Sequence, residues 1–213
     1  MEGWHAIVGA QDPGYPSAAD KRKVLLFSRR PWEHVDAAGD ATMPVGRFLC
    51  ARTATPAGPI WFLAICIPWA HAHVANGRRD RAVWEEHLRY LDRLDSFLGR
   101  RTFDGPVVLL GDFNQRIPRK RCPEHVHDKL MAVLGERFSV ITTGVIASAE
   151  EQAIDHVALG PGLAGSVIAT LPKCTPEGKK LSDHFGLVLE LEASASPMRT
   201  AFPRRVTCAN SPA

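Results

Sequence analysis

Short apolar runs broken by polar, proline- and glycine-rich stretches dominate this chain, and most of them alternate with a period of two. "WHAIV" (4–8), "KVLLFS" (23–28), "GRFLCAR" (46–52) and "IWFLAICI" (60–67) read as strands between Pro/Gly/Asp-rich turns. Trp84, Leu88, Leu91, Leu94 and Leu98 then recur at three- and four-residue steps. That spacing predicts a helix, with Glu85 placed to pair with Arg89 and Gly99 placed to stop it. A strand over 106–110 follows, then a second, weaker helix over 124–135 ("EHVHDKLMAVLG"). Four short strands close the pattern: "FSVIT" (138–142), "AIDHVAL" (153–159), "SVIAT" (166–170) and "FGLVLEL" (185–191). Two helices among about nine strands do not make a βαβ series. They predict one α+β domain over residues 1–192, with two packed sheets and helices outside. Residues 193–213 show no periodicity and read as a disordered tail.

Composition narrows the class without naming a chemistry. The 213 residues are 45% hydrophobic and 23% charged, ordinary for a globular domain with its own core. No apolar run approaches the roughly 18 residues of a membrane span, and "MEGWHAIVGA" lacks the basic-then-apolar order of a signal peptide. Cys50, Cys66, Cys122, Cys174 and Cys208 are scattered and contain no CxxC pair. That excludes a disulfide framework and a cysteine zinc site, and it predicts a reduced, cytoplasmic setting. His71 and His73 are close but lack the i, i+4 spacing of helical zinc ligands. A net charge of +3 is too small to indicate nucleic acid by itself. Its placement says more, because Arg78, Arg79 and Arg81 follow the His71/His73 stretch and Arg116, Arg119, Lys120 and Arg121 follow Asn114. Such a rim would attract a polyanion.

Three strand ends carry acids that a strand does not need. "GPVVLLGDFNQR" (105–116) runs from a buried strand into Asp112 and Asn114, which alternate onto one face. Taken alone, an Asp-x-Asn step is more often a turn. Asp155 in "AIDHVAL" shares a face with Val157 and Leu159, the face expected to point inward, where a carboxylate must be partnered. Asp183 and His184 stand directly before the last alternating strand. Carboxylates gathered with Asn and His suit a hard divalent cation, Mg²⁺ or Mn²⁺, better than zinc.

In the order GDFN (111–114), IDHV (154–157) and SDH (182–184), these motifs resemble the endonuclease/exonuclease/phosphatase superfamily, and "KVLLFSRRPW" resembles one of its strands. The likeness runs over about residues 3–192. It implies a four-layer α/β/β/α sandwich of two mixed sheets, whose strand ends converge on a metal-dependent phosphoester site. By the same resemblance Asp112 orients or deprotonates the attacking water, and Asn114 holds the phosphate and fixes Asp112. His184 donates to a phosphoryl oxygen, Asp155 accepts from its other ring nitrogen, and Asp183 binds Mg²⁺ or Mn²⁺. A further family position falls among Cys66, Trp69, His71 and His73; the two histidines are favoured, with Arg116, as phosphate or substrate contacts. The implied partner is a phosphoester, with DNA, RNA, sphingolipids and inositol phosphates all open.

Family members begin with a strand bearing Asn in a "WN" motif, then a helix, then a strand ending in a metal-binding Glu. Neither motif is present here, and Glu2 precedes a strand of the wrong order to supply that ligand. Two expectations follow from this departure. One is a Mg²⁺-dependent phosphodiesterase whose given start lies inside a longer reading frame. The other is a degenerate member that binds phosphate or nucleic acid without efficient hydrolysis.

Overall fold

A computed structural model of the chain describes residues 3–15 and 21–194. Its centre is the pair of long strands that the apolar runs predict. β1 (His5–Val8), β2 (Leu25–Ser28), β3 (Trp32–Asp36), β4 (Phe48–Thr55) and β5 (Gly58–Cys66) come first. Helix α1 (Glu85–Arg100) leads to β6 (Val107–Asp112), and α2 (Glu124–Leu134) is followed by a single 3₁₀ turn. The short strands β7 (Ser139–Val140), β8 (Val145–Ile146) and β9 (Glu151–Gln152) precede β10 (Asp155–Leu159), β11 (Leu163–Leu171) and β12 (Gly186–Ala193).

Six of these strands form one mixed sheet in the order β3-β4-β5-β6-β10-β7. Its one parallel pair is β5–β6, and α1 makes the crossover between them. The chain therefore contains a single βαβ unit inside an otherwise antiparallel sheet. Both faces of β4 and β5 are buried, which explains why their sequences read as near-continuous apolar runs. Leu63, Ile65, Val107 and Leu109 point to one face and pack against Tyr90, Leu91, Leu94, Phe97 and Leu98 of α1 and Leu130 and Val133 of α2. Each fully buried leucine of that stripe contributes about 1.5–3 kcal/mol.

The other face carries the alternate residues of the same strands. At one end Leu49, Ala64 and Cys66 pack under Val24 and Leu26, so the β1–β2 ribbon covers them. At the other end Val108, Val157 and Leu159 pack against Leu163, Leu189 and Leu191 of the β11–β12 ribbon. A trough of about 730 Å³ opens beside β2, floored by Phe62 and Leu110. Of the four layers expected, the described residues supply the helical layer and the large sheet. The second sheet is present as two separate ribbons, and no described helix covers its outside.

Other boundaries shift for local reasons. β3 escapes the periodicity because "WEHVD" is mostly polar, yet it pairs with β4 at the sheet edge. Gly99 does not stop α1; the helix continues to Arg100, and Arg101 donates its backbone N–H to Phe97 O as the cap. A Cβ at Gly99 would meet nothing within 4 Å. Gly99→Ala is therefore expected to raise stability by about 0.5–1 kcal/mol in a urea melt, through lower backbone entropy in the unfolded chain. The tail expected over 193–213 lies outside the described residues from Ala195 onward. No helix among the described residues is long and apolar enough to cross a membrane.

Candidate active site

The first acid is placed by a strand and a turn acting together. β6 ends at Asp112, and Asn114 follows in a left-handed conformation (φ 53°) that asparagine tolerates better than most residues. Its backbone N–H donates to Asp112 Oδ1 at 2.9 Å, closing a local turn. Its side-chain amide donates to Asp112 Oδ2 and to Ile67 O, both at 2.8 Å. The turn reading and the site reading of "GDFN" thus describe the same geometry. Because both amide hydrogens are used, Asn114 fixes Asp112 and has no donor left for a phosphate.

β10 runs antiparallel to β6 with Asp155 directly opposite Asp112. Asp155 faces the same side as the buried Val157 and Leu159, as the alternation requires. Its partner comes from the ribbon: His184, two residues before β12, donates Nδ1–H to Asp155 Oδ2 at 2.7 Å. One ligand-type atom from each of Asp112, Asp155 and His184 lies within 4.8 Å of the others. Asp183 is more remote; its carboxylate is 4.0 Å from His184 Nε2 and its side chain is 81% exposed.

Electrostatics separates the roles of these groups. Burial pushes the Asp112 carboxyl up to about 6, and the facing Asp155 charge pushes it the same way, against the hydrogen bonds from Asn114. The hydrogen bond to Asp155 holds the His184 imidazolium above its ordinary range, opposed by partial burial. Two carboxylates facing each other, with a third beside His184, form an oxygen-rich donor set. That set fits a hard divalent cation, since ionised Asp112 and Asp155 otherwise repel.

Behind this cluster lies a buried network that the motifs do not reveal. His156 is 1% exposed; Nε2–H donates to Gln115 O at 3.0 Å, and Nδ1 accepts from Thr142 Oγ1 at 2.9 Å. The Gln115 side chain donates to His87 Nε2 at 2.8 Å and to Val126 O at 3.2 Å. His87 in turn donates Nδ1–H to Pro68 O at 2.7 Å, and burial lowers its pKa to about 4, so it stays neutral. Gln115 therefore ties the loop after Asp112 to α1 and α2. Nothing in its sequence position sets it apart from a surface glutamine.

The remaining candidates separate. Arg116 lines a cavity of about 80 Å³ together with Asp155, Asp183 and His184. His71 is exposed with its ring against Trp69, and His73 is buried, stacked 4.7 Å from Tyr15. Arg78 N–H donates to His73 Nδ1, and burial lowers that imidazole's pKa. Neither histidine lines the cavity beside His184. Cys66, the other candidate there, pairs in register with Asp112. Within the first half of the basic rim, Arg78 and Arg81 are neutralised locally, since both pair with Glu86 and Asp80.

The family profile described as "Endonuclease/Exonuclease/phosphatase family" matches residues 3–184, and the chain belongs to that family. Among solved structures it is similar to a 3'-5' exonuclease from Neisseria meningitidis, with 14% identity and a TM-score of 0.58 over 89% of this chain and 80% of that one. A 3' phosphatase from Neisseria bound to product DNA hairpin gives 16% identity and a TM-score of 0.56, over 89% and 80%. An endonuclease/exonuclease/phosphatase from Beutenbergia cavernae gives 16% and 0.53; the chain covers 91% of itself but only 55% of that protein. These likenesses speak for the fold. No curated protein matches.

Proposed function

We propose that the chain is a metal-dependent phosphoester hydrolase of the phosphodiesterase or nuclease kind, in which water attacks phosphorus in line. The observation that carries this reading is the convergence of Asp112, Asp155 and His184 from β6, β10 and the start of β12. Asp112, held by Asn114, takes the proton of the attacking water. His184 Nε2–H, with Nδ1 fixed by Asp155, donates to a phosphoryl oxygen as negative charge develops there. Asp183, with the Asp155 oxygen that His184 leaves free and a remaining lone pair on an Asp112 oxygen, would hold Mg²⁺ or Mn²⁺. When bound, the cation supplies Lewis-acid neutralisation of phosphoryl charge. Arg116 lies where it can hold a phosphate oxygen, and DNA or RNA is the substrate its basic neighbours favour. Cys50, Cys66, Cys122 and Cys174 are free thiols, which supports a reduced, cytoplasmic setting.

The testing experiment is hydrolysis of bis-p-nitrophenyl phosphate and of plasmid DNA, with Mg²⁺ or Mn²⁺ and with EDTA. Activity that EDTA does not remove, or no activity in a folded sample, sinks the reading. The pH dependence gives a second check. Asp112 must be ionised to act as base, so kcat/KM is expected to rise as pH passes about 6. A cation beside Asp112 moves that limb lower. His184 must be protonated to donate, so the rate falls again on the alkaline side, above the ordinary histidine range. Asp155→Asn removes the group that raises His184, so the alkaline limb should move to lower pH.

A further inference from the structure

The cavity beside His184 contains a second cation that none of the motifs explains. Lys173 lines it together with Arg116, Asp155, Asp183 and His184. Its main chain holds the loop that presents Asp183 and His184: the Lys173 carbonyl accepts from Leu181 N at 2.8 Å and from Ser182 N at 3.1 Å. Its ammonium then returns over the cavity, 5.9 Å from the ring centroid of Phe185, and pairs with Glu151. Lys173 and Glu151 side chains are 36% and 40% exposed. An ion pair that open to water adds little to stability and is readily exchanged.

Asp112 is not among the lining residues, so the cavity extends from His184 away from Asp112 toward β9. A group seated there lies beside the scissile phosphate, not on it. At about 80 Å³ the space is small, and two cations beside His184 suit it to a phosphate. Arg116 and Lys173 supply two positive donors, while Glu151 occupies the ammonium until a stronger anion arrives.

We infer that Arg116 and Lys173 form a subsite for the phosphate adjoining the scissile one, with Glu151 as the carboxylate that this phosphate displaces. The inference rests on the hydrolase reading for its meaning but is measured without turnover. The probe is a 5'-fluorescein thymidine tetranucleotide, whose binding to the full chain is followed by anisotropy in EDTA. Lys173→Met is expected to weaken binding about tenfold, the loss of one charge-assisted contact. Glu151→Gln removes the competitor and should tighten binding about threefold.

A purely structural ion pair gives a different result: both variants lose thermal stability alike and bind the oligonucleotide as the wild type does. That result overturns the subsite, as does a wild type that does not bind the probe. Competition by an inositol polyphosphate distinguishes the source of the adjoining phosphate. Displacement below the concentration at which unlabelled tetranucleotide competes assigns it to the cyclitol, and displacement only above it assigns it to the polynucleotide. Hydrolysis of bis-p-nitrophenyl phosphate in the same samples tests the hydrolase reading separately, because that diester has no adjoining phosphate.

Discussion

Asp112→Asn is expected to lower divalent-cation-dependent hydrolysis of a phosphodiester about 10³-fold while the protein remains folded. Asp112 is the carboxylate in the cluster that burial pushes up to about 6, where it can exchange a proton near neutral pH. His184 Nδ1–H is committed to Asp155, a bond that favours the charged imidazolium, and Asp155 is committed to His184. Asparagine keeps the shape and still accepts the Asn114 backbone N–H, but it must surrender the bond to the Asn114 amide. The loss should fall on kcat, with oligonucleotide binding within about twofold of the wild type, because the cation-rich cavity on the far side of His184 is untouched. If wild type and variant bind alike and neither hydrolyses, the chain is a binding module of the family and not an enzyme.

Gly111→Ala should have the second-largest effect, and it acts on fold and site together. Gly111 sits at φ 130°, a conformation that side chains avoid, where β6 passes β5. A Cβ built there falls 2.0 Å from Ile65 O and 3.1 Å from Ile65 C, both rigid backbone atoms of the neighbouring central strand. Relief requires the one parallel pair in the sheet to part. Strain of about 1–3 kcal/mol from the backbone angle alone, plus the collision, places the cost at about 4 kcal/mol or more. That is much of the stability of an ordinary domain. A urea melt should show it directly, and any fraction that folds in the cold should be inactive because Asp112 is carried by the same displaced backbone. Gly99→Ala, at a position with open space, is the control that moves the other way. An unchanged melt for Gly111→Ala would remove the steric account of the glycine in "GDFN".

These two residues also show how far the sequence could be read. "GDFN", "IDHV" and "SDH" announce themselves because each interrupts an apolar strand with a charge, and the structure brings Asp112, Asp155 and His184 together. The large sheet was legible because its central strands are apolar on both faces. What escaped depends on pairing at a distance. β3 is polar and β8 and β9 are two residues each, so no local period marks them. His73 looks like a surface histidine until Tyr15, some sixty residues earlier, stacks on it. Lys173 carries no motif; it comes to line the cavity beside His184 only through distant pairing, its carbonyl holding Leu181 and Ser182. The separation of the second sheet into two ribbons is equally invisible, since alternation predicts a strand but not its neighbour.

The proposed catalytic pair is divided: Asp155 belongs to the six-stranded sheet and His184 to the loop that leads into β12 of the β11–β12 ribbon. The ribbon is held to the sheet face mainly by Leu163, Leu189, Leu191 and the small cluster around Phe185, far fewer apolar groups than hold the helices. Local opening of such a unit costs less than global unfolding. Warming or mild denaturant is therefore expected to separate His184 from Asp155 while the sheet and α1 persist, so that the proposed chemistry is lost before the secondary structure. The proposed activity would then report the docking of one hairpin.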